Sequence, residues 1–442
     1  MKSGSCLAIA AALLNAGSGW GAADWPTLQL NNRRTGYIDD LISPPYKEAW
    51  RHDFEEMIDC RVQPIVAGGI VLVPTYQRRL HALDAATGKP RWVFKTDGPI
   101  FHSPSVTAGR VYLGCQDRFV YCLDLGEGKE RWRFETGEGI WASPAIEGGA
   151  VYVGSRDGVF YALKAENGAE MWRFKTPQPI LTTAAIEGDT VYFASEDLNA
   201  YALNRHTGGL IWKQPTIGQS LRSYWPVVSE RFVYFRTLPV RSWAQHPYNV
   251  KANAQIADPV ERVAELLGRD SFSRTFFAFD KRSGRETIFP VLWTAGGGTV
   301  PFPPVVLPGH KILTPAPTGE RTASSGSSSV SIIDETTRQP RRGYIRVIAD
   351  ESYGYSVSGP YLFSSHHDYL QYVDLRKDPD QARNTVTVLG HRDRPVDERA
   401  AQWFGHHDNH PGWHSASLAN GHIYWINQGS WLFVFKGGSS EF

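Results

Sequence analysis

From residue 103 to residue 212 the chain runs through short apolar stretches that break at Gly, Asp or Asn: VYLG, FVYCLD, VYVG, VFYALK, VYFAS and AYALN. Their length and their content of β-branched and aromatic residues predict strands rather than helices. The stretches fall into copies of one unit, SPSVTAGRVYLGCQDRFVYCLDLGEGKERW, SPAIEGGAVYVGSRDGVFYALKAENGAEMW and TAAIEGDTVYFASEDLNAYALNRHTGGLIW. Each copy carries three strand signals and then a Gly-containing turn into a strand marked by tryptophan, so each unit predicts four strands.

Tryptophans at positions 50, 92, 132, 172 and 212 recur every 40 residues after a first interval of 42, which is a repeat architecture. One four-stranded sheet leaves both faces uncovered, whereas sheets set radially around an axis cover one another. The repeated tryptophan is therefore expected to pack between blades. Less regular copies follow: WPVVSERFVYF with FFAFDKRSGRE, FPPVVLPGHKIL with SVSIIDE, YLFSSHHDYLQYVDL, and HSASLANGHIYWINQGSWLFVF. The last lacks a fourth strand, and YKEAWRHDF near the N-terminus is a fourth strand without a sheet. The expectation is an all-β, eight-bladed β-propeller of four-stranded antiparallel blades over residues 24–436, closed by that N-terminal strand pairing with the C-terminal blade, with 437–442 as a flexible tail.

ALDAATGKPRW and its copies resemble the repeats of the PQQ-like (quinoprotein-type) β-propeller superfamily, and DWPTLQLNNRRTGY is similar to the opening segment of its secreted members. The resemblance covers most of residues 24–436 and implies the propeller fold. Because the superfamily includes quinoprotein dehydrogenases as well as outer-membrane assembly factors resembling BamB, function must be read from the site.

With 42% hydrophobic residues, 15 Trp, 19 Tyr and 21 Phe, the chain can bury a large core, and 42 Gly and 28 Pro supply its turns. Its 46 basic and 45 acidic residues leave a net charge of +1, which gives no electrostatic footprint for nucleic acid. At the N-terminus Lys2, the apolar run CLAIAAALL and the small residues up to Ala23 read as a signal peptide over residues 1–23. The run is too short for a permanent membrane anchor, so a periplasmic or secreted protein is expected.

In a four-stranded blade the start of the innermost strand and the turn between the second and third strands share one rim, the front face. Register on Tyr112, Tyr152, Tyr192, Tyr234 and Tyr424 puts His414 in line with His102, Ala142, Thr182 and Tyr224, all at the front mouth of the channel. The stretch WFGHHDNHPGW (403–413) leads into that position, and SSHHDY sets His366, His367 and Asp368 in a turn on the same side. Insertions at 238–274 and 316–329 emerge there too. The first holds a short amphipathic helix, DPVERVAELLG, with Asp258 as N-cap, Pro259 in the first turn and Gly268 as stop; the second is Ser/Gly-rich and flexible. Loops on a rigid scaffold are where binding residues gather.

His366, His367, His406, His407, His410 and His414 are candidate ligands for zinc or copper, which require three or four donors at about 2.0–2.2 Å. Candidate proton-transfer residues are His366, His407, His414 and Tyr224, and candidate ligand-binding residues are His102, Arg222, Tyr224, Trp403 and Trp413. Pro411 and Gly412 oppose a helix that would align His406 with His410. Three uses stay open: a metal centre, acid–base chemistry, and a wet mouth whose imidazoles bond to backbone and water. Trp413 is in register with Phe101 and Trp141, so packing also accounts for it. Arg156, Asp157, Glu196 and Asp197 sit in front-face turns, and turn chemistry alone accounts for the aspartates.

An enzyme using pyrroloquinoline quinone would resemble a family expected to show a stacking Trp, a calcium or lanthanide ligand set and adjacent cysteines. This chain has no Cys-Cys pair and no CxxCH haem site, so that cofactor is not expected. Cys122 is in register with Ala82, Ala162, Ala202 and Ala278, a small buried position, and a Cys60–Cys115 disulfide between neighbouring front rims is expected of an exported chain. Two functions follow: a scaffold that binds a small molecule, glycan or protein at the front face, or a metal- or His-dependent enzyme such as a polysaccharide lyase, hydrolase or oxidoreductase. A degenerate quinoprotein dehydrogenase ranks below both.

Overall fold

A computed structural model describes residues 24–59, 61–222, 224–238, 274–289, 291, 302–315, 329–338, 345–346, 353–365, 370–377, 387–389, 415–427 and 430–438. Its described elements are all strands, arranged as eight sheets. The second sheet is typical, running Ser105–Thr107, Arg110–Gly114, Phe119–Asp124 and Glu130–Glu135 from the axis outwards, each strand antiparallel to the next. The eight innermost strands lie beside one another around the axis, starting at Ile65–Ala67 and ending at Ser417–Ala419. This is an eight-bladed β-propeller.

The ring closes as the repeat count requires. Ser43–Asp53 pairs antiparallel with Trp431–Gly438, with Trp50 opposite Val434 and His52 opposite Leu432, and becomes the outer strand of the eighth blade. Trp431–Gly438 continues to Gly438, which pairs with Ser43, past the boundary at residue 436 expected from the sequence.

The period-40 tryptophans do pack between blades, and each uses the same two contacts. The indole Nε1–H donates to a backbone carbonyl in the outer turn of the next blade: Trp50 to Ala85 (3.1 Å), Trp92 to Leu125 (2.9 Å), Trp132 to Ala165 (3.1 Å), Trp172 to Arg205 (3.0 Å) and Trp212 to Lys281 (3.2 Å). Its ring lies under the glycine of that turn, where a Cβ on Gly88, Gly128, Gly168, Gly208 or Gly284 would come within 2.5–2.8 Å of ring atoms. Both contacts explain why the turn sequence and the tryptophan recur together. Cys122 is fully buried, as its register predicted.

The opening segment does something the repeat pattern gave no sign of. Each innermost strand presents a row of unpaired backbone groups to the channel, and residues 24–38 run around the ring supplying partners in blade order. The N–H groups of Val66, Val106, Ile186, Val228, Val306 and Val357 donate to the carbonyls of Trp25, Pro26, Asn32, Arg33, Thr35 and Gly36. The third blade joins through Asn32 Nδ2 to Ile146 O (2.6 Å), and the eighth through Asn420 Nδ2 to Asp24 Oδ1 (3.2 Å). Tyr37–Ile38 adds a fifth, parallel strand to the seventh sheet. Asp24 bonds to Gly68 N, and Arg33 pairs with Glu187 at the far end of its strand, so this girdle lies toward the back of the channel. Trp25, Leu28 and Arg34 are buried within it.

Candidate functional site

The back of the channel is thus filled by the girdle, and chemistry concentrates at the front. In the first four blades the front lip is built from aligned positions: Arg61, Phe101, Trp141 and Leu181; then Val62, His102, Ala142 and Thr182; then Gln63, Ser103, Ser143 and Thr183. The innermost of these rows ties blades together. Ser103 Oγ donates to Gln63 O (2.9 Å) and accepts from Gln63 N (2.8 Å), and Thr183 Oγ1 accepts from Ser143 N (3.0 Å).

The outermost row forms a lid. Arg61 grips Asp59 through two bonds, Nε to Oδ1 (2.7 Å) and Nη2 to Oδ2 (2.6 Å), the fork geometry that suits guanidinium and carboxylate. Its guanidinium carbon lies 4.2 Å from the centre of the Trp141 ring and 5.4 Å from that of Phe101, a cation–π arrangement. Phe101 in turn contacts Trp141 (4.6 Å) and Tyr76 (5.2 Å), and Tyr76 is 41% exposed. Burial drives the Asp59 carboxyl up, but Arg61 outweighs it and holds the group below the usual range.

Behind this lid His102 is 4% exposed, and neither ring nitrogen has a hydrogen-bond partner. Desolvation, reinforced by the Arg61 and Arg34 cations and opposed by Asp59, pushes its pKa down to about 3. The imidazole is therefore neutral at any ordinary pH. Three other buried polar atoms in this part of the channel also have no partner: Trp141 Nε1, Ser143 Oγ and Arg34 Nη2. Such atoms are rare in folded proteins, and each costs about 1–3 kcal/mol when buried alone.

The His102 shift gives a test. In the unfolded chain the ring titrates near 6.5, so between pH 6.5 and about 3 the unfolded state binds a proton that the native state refuses, and stability falls with acidification. From pH 7 to pH 5 this term is on the order of 2 kcal/mol. His52 and His81 are displaced in the same direction, mainly by burial, and add to the slope. His102→Phe, which sacrifices no hydrogen bond, should remove about 2 kcal/mol of the pH 7-to-5 loss measured by urea unfolding. An undiminished loss would show that His102 does not titrate this way.

Of the other expected residues, Tyr224 is buried behind the front lip of the fifth blade, its hydroxyl pushed well above the usual value by desolvation. It stands with Arg236 and Tyr355, not with the Arg61 lid, so the structure separates Tyr224 from His102. Arg222 is exposed at the rim. Thr182 faces its own blade, donating to Ala194 O (2.8 Å). Asp157 and Asp197 are used in their turns, accepting from the N–H of Val159 and Asn199 and from the hydroxyls of Tyr161 and Tyr201, as turn chemistry predicted. Glu196 caps the neighbouring lip through Ser220 Oγ and Leu221 N, and Arg156 reaches Gln116 (3.5 Å). Cys115 is a free, buried thiol donating to Gly98 O (3.2 Å), its pKa raised to about 12 by desolvation; Cys60, the partner expected for it, lies outside the described residues. So do His366, His367, Trp403, His406, His407, His410, Trp413 and His414, the helix expected at 258–268, and residues 1–23. Among the described residues no cluster of three metal-donating side chains occurs.

Three residues of this site escaped the sequence reading. Arg61 was detectable, because it occupies the register position of Phe101 and Trp141. Arg236 was also detectable: it stands two residues after Tyr234, where the equivalent positions are Gly114, Gly154 and Ala194, and it is fully buried with Nη2 on Thr314 Oγ1 (2.6 Å). Arg34 lies outside any repeat, and nothing in the periodicity marks it.

A family model described as outer membrane protein assembly factor BamB matches residues 42–124 and 115–287. No curated protein matches the chain by sequence. Among solved structures, the crystal structure of BamB from Moraxella catarrhalis is 13% identical with a TM-score of 0.56, covering 88% of this chain and 99% of that one. Quinohemoprotein alcohol dehydrogenase from Comamonas testosteroni is 15% identical with a TM-score of 0.63, covering 93% and 80% respectively. A europium-containing methanol dehydrogenase is 12% identical with a TM-score of 0.58, covering 84% and 86%. At these identities the likeness is one of fold.

Proposed function

The chain belongs to the PQQ_2 family of β-propellers, whose model describes the outer membrane protein assembly factor BamB, and from that premise we propose that it is an exported binding scaffold. It takes a small molecule, glycan or protein segment at the front mouth of the channel. The observation that carries this reading is the group of partnerless buried polar atoms behind the front lip, on His102, Trp141 and Ser143, facing a girdle that is bonded to all eight blades and itself brings the partnerless Arg34 Nη2. Specific binding sites are concave and hold a few polar groups awaiting partners. The signal-like residues 1–23 and the fold shared with BamB support export. Repeat register assigns the histidine stretches at 366–367 and 406–414 to the same mouth, and we propose them as part of this site although they lie outside the described residues.

Pyrroloquinoline quinone, the cofactor of the superfamily's dehydrogenases, does not suit the described lip. Asp59 is engaged by Arg61, no described cluster offers carboxylates to a cation beside the quinone, and the Arg61 guanidinium already lies over the Trp141 ring.

The rival reading, a metal- or His-dependent enzyme, makes an opposite forecast. A scaffold purified without added metal should carry well under one equivalent of zinc or copper by elemental analysis, and His407→Ala and His414→Ala should leave that content unchanged. One equivalent in the parent, lost in both variants, would replace the scaffold reading with the metal enzyme.

A further inference from the structure

We infer that the sector of the channel between the second, third and fourth blades is a receptor for a small monocarboxylate, held by Arg34, Trp141, Ser143 and His102. The inference rests on the scaffold reading and names the ligand class of that mouth.

Arg34 comes from the girdle and is completely buried. Its Nε donates to Ala184 O (3.1 Å), and its Nη1 donates to Thr27 Oγ1 (2.7 Å) and Leu28 O (2.9 Å); all are neutral acceptors. Nη2 has no partner. Desolvation, unopposed by any carboxylate among the described residues, lowers the guanidinium to about 9. A buried cation without a counterion is among the most costly arrangements in a protein, and natural chains resolve it with an acid or with a bound anion.

The contacts make the neighbourhood continuous. Ala184, which accepts from Arg34, follows Thr183, whose hydroxyl accepts from Ser143 N. Thr27 passes the Arg34 bond on to Ser105 Oγ (2.7 Å), which donates to Pro144 O (2.7 Å) beside Ser143. His102 lies close enough to Arg34 and Arg61 to feel both charges, and Arg61 roofs Trp141. Every partnerless atom here except one imidazole nitrogen is a donor, or a hydroxyl able to donate. The Asp59–Arg61 pair is neutral as a unit, which leaves Arg34 as the single uncompensated charge among the described residues of this sector, so the ligand is a monoanion. A carboxylate fits better than a chloride because it presents directional lone pairs on two oxygens, enough for an N–H, an O–H and an indole N–H together. The lid of Arg61, Phe101 and Trp141, rimmed by exposed Tyr76, gives an aromatic wall to an apolar remainder.

The test is thermal unfolding of the full chain, treated with EDTA, titrated with sodium acetate against sodium chloride at equal concentration and pH 7. Acetate should raise the melting temperature saturably above the chloride control. Trp141→Phe combined with Ser143→Ala removes two donors while keeping ring and backbone, and should weaken the apparent acetate affinity about tenfold or more. Arg34→Gln should abolish the shift; should that protein not fold, the Trp141/Ser143 variant decides. Equal shifts in both salts, or an unchanged affinity in the double variant, would overturn the carboxylate site while leaving the scaffold reading intact. Stoichiometric metal in the elemental analysis would overturn the scaffold reading without altering this titration, which is run metal-free.

Discussion

A chain ended at Ser430 is expected to lose its cooperative unfolding transition altogether. Removing Trp431–Gly438 takes away the strand that pairs on one side with His422–Ile426 and on the other with Ser43–Asp53. The outer strand of the eighth blade would then have no sheet to join. Leu432, Phe433, Val434 and Phe435 would also vanish from the cluster that welds the eighth blade to the first. Each fully buried side chain of this kind contributes about 1.5–3 kcal/mol, so these four alone account for roughly 6–12 kcal/mol, comparable to the whole stability of an ordinary domain. The opened ring would expose the faces of two blades and an unpaired strand edge. Calorimetry should show a broad, low-enthalpy transition and aggregation in place of one sharp peak. A truncated chain that melted within a few degrees of the parent would mean that the ring does not depend on its closing sheet.

The blades were legible because they repeat. Trp132, Ala165 and Gly168 are bound by one local geometry that the chain reuses, so each copy confirms the others, and the missing fourth strand at the C-terminus could be matched to the orphan at residues 43–53. The girdle was illegible for the opposite reason. Its bonds use backbone carbonyls of Trp25, Pro26, Asn32, Arg33, Thr35 and Gly36, which leave no side-chain signature, and it occurs once. The site lay between these extremes. Register put His102 and Tyr224 together at the front mouth, whereas the structure buries His102 behind the Arg61 lid and sets Tyr224 with Arg236 and Tyr355, because alignment gives height along the axis and not position around it. The buried arginines show a simpler lesson. Arg236 replaces Gly and Ala at an interior position, and an exception to a repeat marks function or strain more sharply than any composition.

The joint between blades predicts its own energetics. Trp132→Ala should cost about 3–5 kcal/mol by urea unfolding, the range for removing a large aromatic from a packed site. Packing dominates this figure, because Ala165 O keeps a second donor, the Tyr112 hydroxyl at 3.1 Å, after the indole is gone. Gly168→Ala should be nearly as damaging in the parent. Its φ of +73° already penalises a Cβ by about 1–2 kcal/mol, and that Cβ would sit 2.6 Å from Trp132 Cε3, so ring or turn must move. The two substitutions should not add. Once Trp132 is alanine the space above Gly168 is empty and only the backbone penalty remains. The double variant should therefore be about 1–3 kcal/mol more stable than the sum of the singles requires. Strict additivity would show that the ring and the turn do not meet in solution, and would remove the physical reason for the recurrence of Gly and Trp at this spacing.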